Sequence, residues 1–314
     1  MATYAFKRDT KVYIVWNSLQ YRIDVKDINF SQTFADISIY KKTLHNQHLT
    51  QEGSIINSAN PANFEFSLPI IRESDHNILF SLLTTRDTTL DPALQLKTFD
   101  LYIDIDSVLF KIENCIVTNG SFSFNKGSIF GGTFSGQGSR LTKYDTSPPF
   151  TIPGTPQTYT TNPTYSINTN FYFNSQSYDI PSSVFSASVE VQNEVNWTPY
   201  KTLNASYGNI LDGTNCMIPT KHTVNKRILS GSFSLYLDTE SPAIDYVQDF
   251  VYAEALTAEI GQDVGGTVYG LSINCSEATI SNRLGVSDTY IHSYDWRLTS
   301  NPSDLSDAIS LITI

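Results

Sequence analysis

The segment EFSLPIIRES, which ends at Ser74, returns as SFSLYLDTES, which ends at Ser241. Phe66-Ser67-Leu68 matches Phe233-Ser234-Leu235, and Glu73-Ser74 matches Glu240-Ser241, both at an offset of 167 residues. Further matches follow in the same order. Asn17, Ser18, Tyr21 and Ile23 return as Asn174, Ser175, Tyr178 and Ile180 (offset 157), and Phe30-Ser31 as Phe185-Ser186 (offset 155). Lys42-Thr43-Leu44 returns as Lys201-Thr202-Leu203 (offset 159), and Asn114-Cys115 as Asn274-Cys275 (offset 160). Ordered matches at nearly constant spacing read as one structural unit written twice. The expected division is a first domain over 1–146, a linker over 147–167, a second domain over 168–300 and a tail over 301–314. The linker segment SPPFTIPGTPQTYTTNPTY holds five of the 13 prolines, which predicts an extended, semi-stiff spacer.

Each half must then be a fold that can sit beside its own copy. Hydrophobic residues are 40% of the 314-residue chain, enough for substantial cores. Charged residues are only 16%, against roughly 25% in ordinary soluble domains. That balance suits β-structure with much of its surface covered by neighbours. No apolar run approaches the roughly 18 residues of a membrane span, so no membrane insertion is expected. The N-terminal MATYAFKRDTKVYIVW offers too short an apolar run for the core of a secretory signal, so none is expected. Three cysteines cannot all pair within one chain. Cys115 and Cys275 fall at matching positions and are expected to be small buried thiols in a reducing compartment.

The period of the apolar residues changes along each half. KVYIVW, QYRIDVKDI, FADISI and FEFSL alternate as strands. The polar stretch HNQHLTQEGSIINSAN between them reads as a long contact loop or an extended arm. After Leu68 the spacing becomes helical: Ser74 is the expected N-cap, with Ile78, Leu79, Leu82 and Leu83 on one face. The second half repeats this with Ser241, Pro242, Ile244, Val247 and Val251. In DLYIDIDSVLFKI, residues Asp100, Tyr102, Asp104 and Asp106 share one face and Leu101, Ile103 and Ile105 the other. NGSFSFNKGSIFGGTFSGQG reads as two aromatic-rich strands, and NPSDLSDAISLITI as a short helix or an added strand. The fold class is mainly β: two tandem β-sandwich or partial-barrel domains, each with one short flanking helix.

Signatures of chemistry are sparse. The sequence holds no G-x-S-x-G, H-E-x-x-H, G-x-x-x-x-G-K-[ST] or C-x-x-C motif. Gly136-Gln137-Gly138 lacks the third glycine of a dinucleotide loop and reads as a strand end. His45 and His48 could share a metal on a helix but lie in a polar loop without a third ligand nearby. Asp104 and Asp106 could pair as hydrolase carboxylates, yet TVYGLSIN in the second half supplies no acid, and a solvated strand face fits better. Phe122 and Phe124 alternate at strand period, which points to core packing. No cofactor, metal or enzymatic activity is expected.

Net charge is −11 and uneven. Residues 1–150 carry 14 Lys/Arg against 15 Asp/Glu, and residues 151–314 carry 6 against 16. Such a surface does not grip phosphate through a cationic patch. The element order, with a Ser-capped helix after an FSL strand, resembles the tail tube proteins of long-tailed bacteriophages, whose fold the type VI secretion tube protein shares. The resemblance covers about residues 12–140 and 168–298 and rests on element order and composition. It implies a virion tail subunit, assembled in the host cytoplasm, in which three duplicated chains build a pseudo-hexameric ring. Rings would stack into a DNA channel and meet the tape measure, the tail terminator and the baseplate or tip, with DNA passing unbound. Asp100, Asp104 and Asp106, with no cation on their face, are then candidate lumen-facing acids. Gly53, Ile55, Ile56 and Asn57, with Ile210 and Leu211 in the second half, are candidate inter-ring contacts. A tail-terminator or tail-tip ring of the same fold, and a tandem β-module that binds glycans, remain open alternatives.

Overall fold

Alternating apolar residues produce strands almost everywhere in the described part of the chain. The computed structural model describes residues 10–41, 50–73, 77–87, 95–106, 108–175, 184–199, 218–236, 251–286, 290–299 and 304–313. The first half contains β1 (Thr10–Trp16), β2 (Leu19–Ile23), β3 (Asp27–Ser31), β4 (Phe34–Lys41), β5 (Thr50–Ala59) and β6 (Ala62–Pro69). Helix α1 (Ile78–Thr84) follows, then β7 (Phe99–Ile105), β8 (Val108–Asn125), β9 (Gly131–Gly138) and β10 (Arg140–Asp145). The second half is reached through β11 (Thr155–Pro156) and contains β12 (Asn170–Ser175), β13 (Val184–Pro199), β14 (Pro219–Tyr236), β15 (Val251–Val264), β16 (Thr267–Val286), β17 (Tyr290–Leu298) and β18 (Ile309–Ile312). The fold is mainly β and of the sandwich type.

The 18-residue β8 serves two layers. Its first part pairs with β7 and β10, and its second part with β9. The layer β2-β1-β7 thereby folds over the layer β3-β6-β9, and rings meet between them: Phe64 and Phe99 at 6.0 Å, Phe30 and Phe110 at 5.3 Å. In the second half the 20-residue β16 pairs first with β15 and β18, then with β17. There Phe173 of β12 meets Phe233 of β14 at 4.5 Å. The order β3-β6-β9-β8 in the first half is thus matched by β13-β14-β17-β16 in the second. The two series are continuous: β8 and β13 pair antiparallel, with Asn119–Asn125 opposite Gln192–Ser186.

Close packing explains the glycines of β9. A Cβ on Gly136 would lie 2.3 Å from the Phe64 ring and 2.2 Å from the Ile116 carbonyl oxygen, so only glycine lets that ring lie flat on the sheet. Cys115 and Cys275 are both fully buried free thiols, and Phe122 and Phe124 are core residues.

Several expectations need correction. Asn77, without a side-chain cap, occupies the N-cap of α1 that Ser74 was expected to fill. Leu79, Leu82 and Leu83 are buried as their spacing predicts, and Phe80 joins them. Val251 opens β15 rather than completing a helical stripe; residues 237–250 lie outside the described residues. The linker is extended but not free: Thr155 and Gln157 donate backbone hydrogen bonds to Ser18 and Gln20, and Phe130 donates to Ser166. The tail forms both expected structures, a 3-10 turn over Leu305–Asp307 and β18.

Helix α1 is fastened by residues far away in the chain. Its last carbonyls have no intrahelical partner. Arg227 of β14 donates to Leu83 O at 3.1 Å and Thr84 O at 2.7 Å, to Asn193 Oδ1 at 2.8 Å and to Asp304 at 3.4 Å. Asn193 Nδ2 donates to Leu83 O and Val117 O. Burial pushes the Arg227 pKa down to about 10, and Asp304 opposes that shift. Removing the guanidinium strands several buried acceptors and part of an ion pair. Arg227→Met should therefore cost about 3 kcal/mol, read as a lower urea midpoint at unchanged slope.

Candidate functional site

The sheet β3-β6-β9-β8-β13-β14-β17-β16 has one apolar and one polar face. Inward, Ile28, Phe66, Phe134, Phe122, Val189, Leu229, Tyr294 and Ile280 are buried. Outward, one unbroken row of opposed residues crosses all eight strands: Asp27, Ser67, Thr133, Ser121, Glu190, Ser230, Arg297 and Thr279. Hydroxyls dominate, and several bond one another, as Ser188 with Ser232 at 2.8 Å and Ser234 with Ser293 at 3.0 Å. The face is grooved in both halves. A groove of about 460 Å³ is lined by Asn29, Asn63, Glu65, Ser135 and Gln137, and one of about 580 Å³ by Ser188, Glu190, Ser232, Ser281 and Asp295. Short polar side chains and scattered charges of both signs give such a surface little with which to hold a ligand tightly.

Among the described residues, strands β4 and β5 pair only with each other, as a two-stranded sheet of their own. Most of the stretch expected as a long contact loop or an extended arm is β5, which pairs with the expected strand β4. Ile37 stands opposite Ile55, Asp36 opposite Ile56 and Ile39 opposite Gly53, and Asn57 lies in the same strand. Phe34, Ile37, Ile39 and Tyr40 are 43–58% exposed. An isolated hairpin is marginal in water, and this one leaves large apolar side chains uncovered. Ile210 and Leu211 lie outside the described residues, as do His45, His48 and the Lys42 and Lys201 matches. Among the described residues no cluster of His, Cys, Asp and Glu could hold a metal.

The candidate acids occupy the other layer, on β7 between β1 and the first part of β8. Their run is broken by a turn, with Asp106 in the left-handed region at φ 55°. The expectation of a solvated face without cations needs revision. Lys111 Nζ is 3.0 Å from Asp100 and 3.3 Å from Glu113. Burial opposes the Lys111 charge, but Asp100 and Glu113 outweigh it and hold its pKa well above the usual lysine value. Asp100 also accepts from the Asn114 amide at 3.1 Å. Tyr102, on the same face, is 2% exposed and stacks edge-on against Tyr144 of β10. The sequence could not show that β10 folds back along β8 and covers this face. Asp104 sits opposite Lys11. Burial raises its pKa, Lys11 opposes this, and Asp106 adds to the rise.

The described residues thus present a grooved polar sheet face and a hairpin with exposed apolar side chains. The chain belongs to the Bacteriophage Baseplate Tube Protein Family, whose model matches residues 2–310. It is a structural component of the phage tail or baseplate tube. No curated protein matches the chain. Among the described residues no helix is long and apolar enough to cross a membrane.

The shift at Asp104 has a definite sign. A carboxyl whose pKa is raised by folding binds its proton more tightly in the native state, so stability falls as pH rises through the raised value. Asp104→Asn removes that penalty. Thermal unfolding should show a higher Tm for the variant at pH 7 and no difference at pH 3, where both carboxyl states are protonated.

Proposed function

We propose that the chain is the ring-forming subunit of this tube, and that its halves are two copies of one tube domain. The continuous eight-strand sheet supports this reading, because its two four-strand series have the same order and the same polar face. Three chains then supply six domains to a pseudo-hexameric ring. The polar, grooved face lines the channel and presents Glu65 and Glu190 among hydroxyls, so DNA passes without being held. In this arrangement Asp100, Asp104 and Asp106 belong to the outer layer, with Lys111 and Lys11 as their local partners.

The β4–β5 hairpin is the contact between stacked rings, where Ile37, Ile39 and the Gly53–Asn57 segment become buried. Tape measure, tail terminator and baseplate proteins are the other partners that a tube subunit meets. The family match to a baseplate tube favours a position at the baseplate end of the channel. The exposed apolar residues give a direct test. Ile37→Ser/Ile39→Ser should leave rings intact while abolishing stacked tubes in negative-stain micrographs. Tubes of normal length from that variant would remove the hairpin from the stacking interface.

A further inference from the structure

The internal junction between β8 and β13 has two unmatched counterparts at the ends of the same sheet. Among the described residues β3 pairs only with β6, and the stretch Ser281–Val286 of β16 pairs only with β17. Each is therefore an open edge, the first at one end of the eight-strand series and the second at the other.

Pairing within the sheet relates these edges to the strands of the junction. Ile28 faces Phe66 as Ala187 faces Phe233, and Phe66 and Phe233 are the repeated residues, so β3 corresponds to the stretch of β13 around Ala187. Phe66 and Phe233 lead in turn to Phe134 and Tyr294, and these to Gly120 and Asn282. Phe122 then corresponds to Leu284, and Ser123 to Gly285. In the junction Phe122 lies opposite Val189 and Ser123 opposite Ser188.

Burial agrees with the correspondence. Phe122 is 0% and Val189 1% exposed, sealed against each other inside the molecule. At the open edges Leu284 is 42% exposed and Phe30, the counterpart of Val189, is only partly buried. An exposed leucine beside an unpaired strand edge is what a removed neighbour would leave.

We propose that β16 of one copy pairs antiparallel with β3 of a second copy of this chain, in the register of the internal junction. Phe30 lies opposite Leu284, Asn29 opposite Gly285 and Ser31 opposite Arg283. The contact joins two different patches, so it is head-to-tail and can propagate into a closed ring. The inference rests on the ring-forming function proposed above and adds the strands and their register.

Asn29 and Gly285 provide the test, since both fall on the polar side. A Cβ at Gly285 meets nothing nearer than 3.5 Å, so a cysteine is tolerated there. Full-length protein carrying Cys216→Ser, Asn29→Cys and Gly285→Cys should form covalent multimers on mild oxidation, read on a non-reducing gel. Either new cysteine alone should stay a single-chain band. Leu284→Glu, confirmed folded by circular dichroism, should sediment as a monomer. Rings or tubes that assemble without the cross-link, or that tolerate Leu284→Glu unchanged, overturn this ladder and leave the tube function standing. Wild-type protein that never assembles overturns both.

Discussion

Everything in the described architecture hangs on the ladder between β8 and β13. It converts two sandwiches into one sheet, because backbone donors at the rim of the first half find acceptors at the rim of the second. Without it, two strands with buried-type residues such as Phe122 and Val189 would face water. Each opposed pair contributes only about 0.2–1 kcal/mol beyond alanine. Register gives the ladder its importance: a slip by one residue would set Phe122 and Phe124 on the side opposite their partners' apolar residues. The alternation of Ser121, Ser123 and Asn125 with Phe122 and Phe124 allows one solution.

Much of this was legible. The strand periods, the burial of both repeated cysteines and the apolar stripe of α1 follow from spacing alone. The ordered sequence matches were also visible, but one of them does not agree with the strand pairing. Phe30-Ser31 and Phe185-Ser186 look equivalent, whereas pairing to Phe66 and Phe233 sets Phe30 against Val189. The error is four residues, twice the strand period, so inward and outward faces are preserved and the hydrophobic pattern cannot reveal it. Strand length hides the difference too: β3 has 5 residues and β13 has 16.

Other features were out of reach for physical reasons. The acids of β7 look solvated because their neighbours on the face, Lys111 and Tyr144, come from later strands. A strand states which of its residues share a side, but not what will cover that side. The polar face of the long sheet suffers from the reverse problem. Its serines and threonines come from separate strands, and none forms a motif; only pairing makes them a surface. Strand β4 was expected, but β5 was read as part of a contact loop or extended arm because Gly53 and the asparagines around it resemble turn chemistry.

Arg227 gives the fused chain a further property. By holding the carbonyl end of α1 from within the second half, it adds a second tie between the halves beside their shared strands. Any closed ring made from this chain needs half as many independent molecules as one made from single halves. Each molecule that joins gives up its own translational and rotational freedom, a cost of at least several kcal/mol. In the proposed ring, covalent linkage of the halves would remove that cost from every second junction, so nucleation would depend less steeply on the concentration of free subunits.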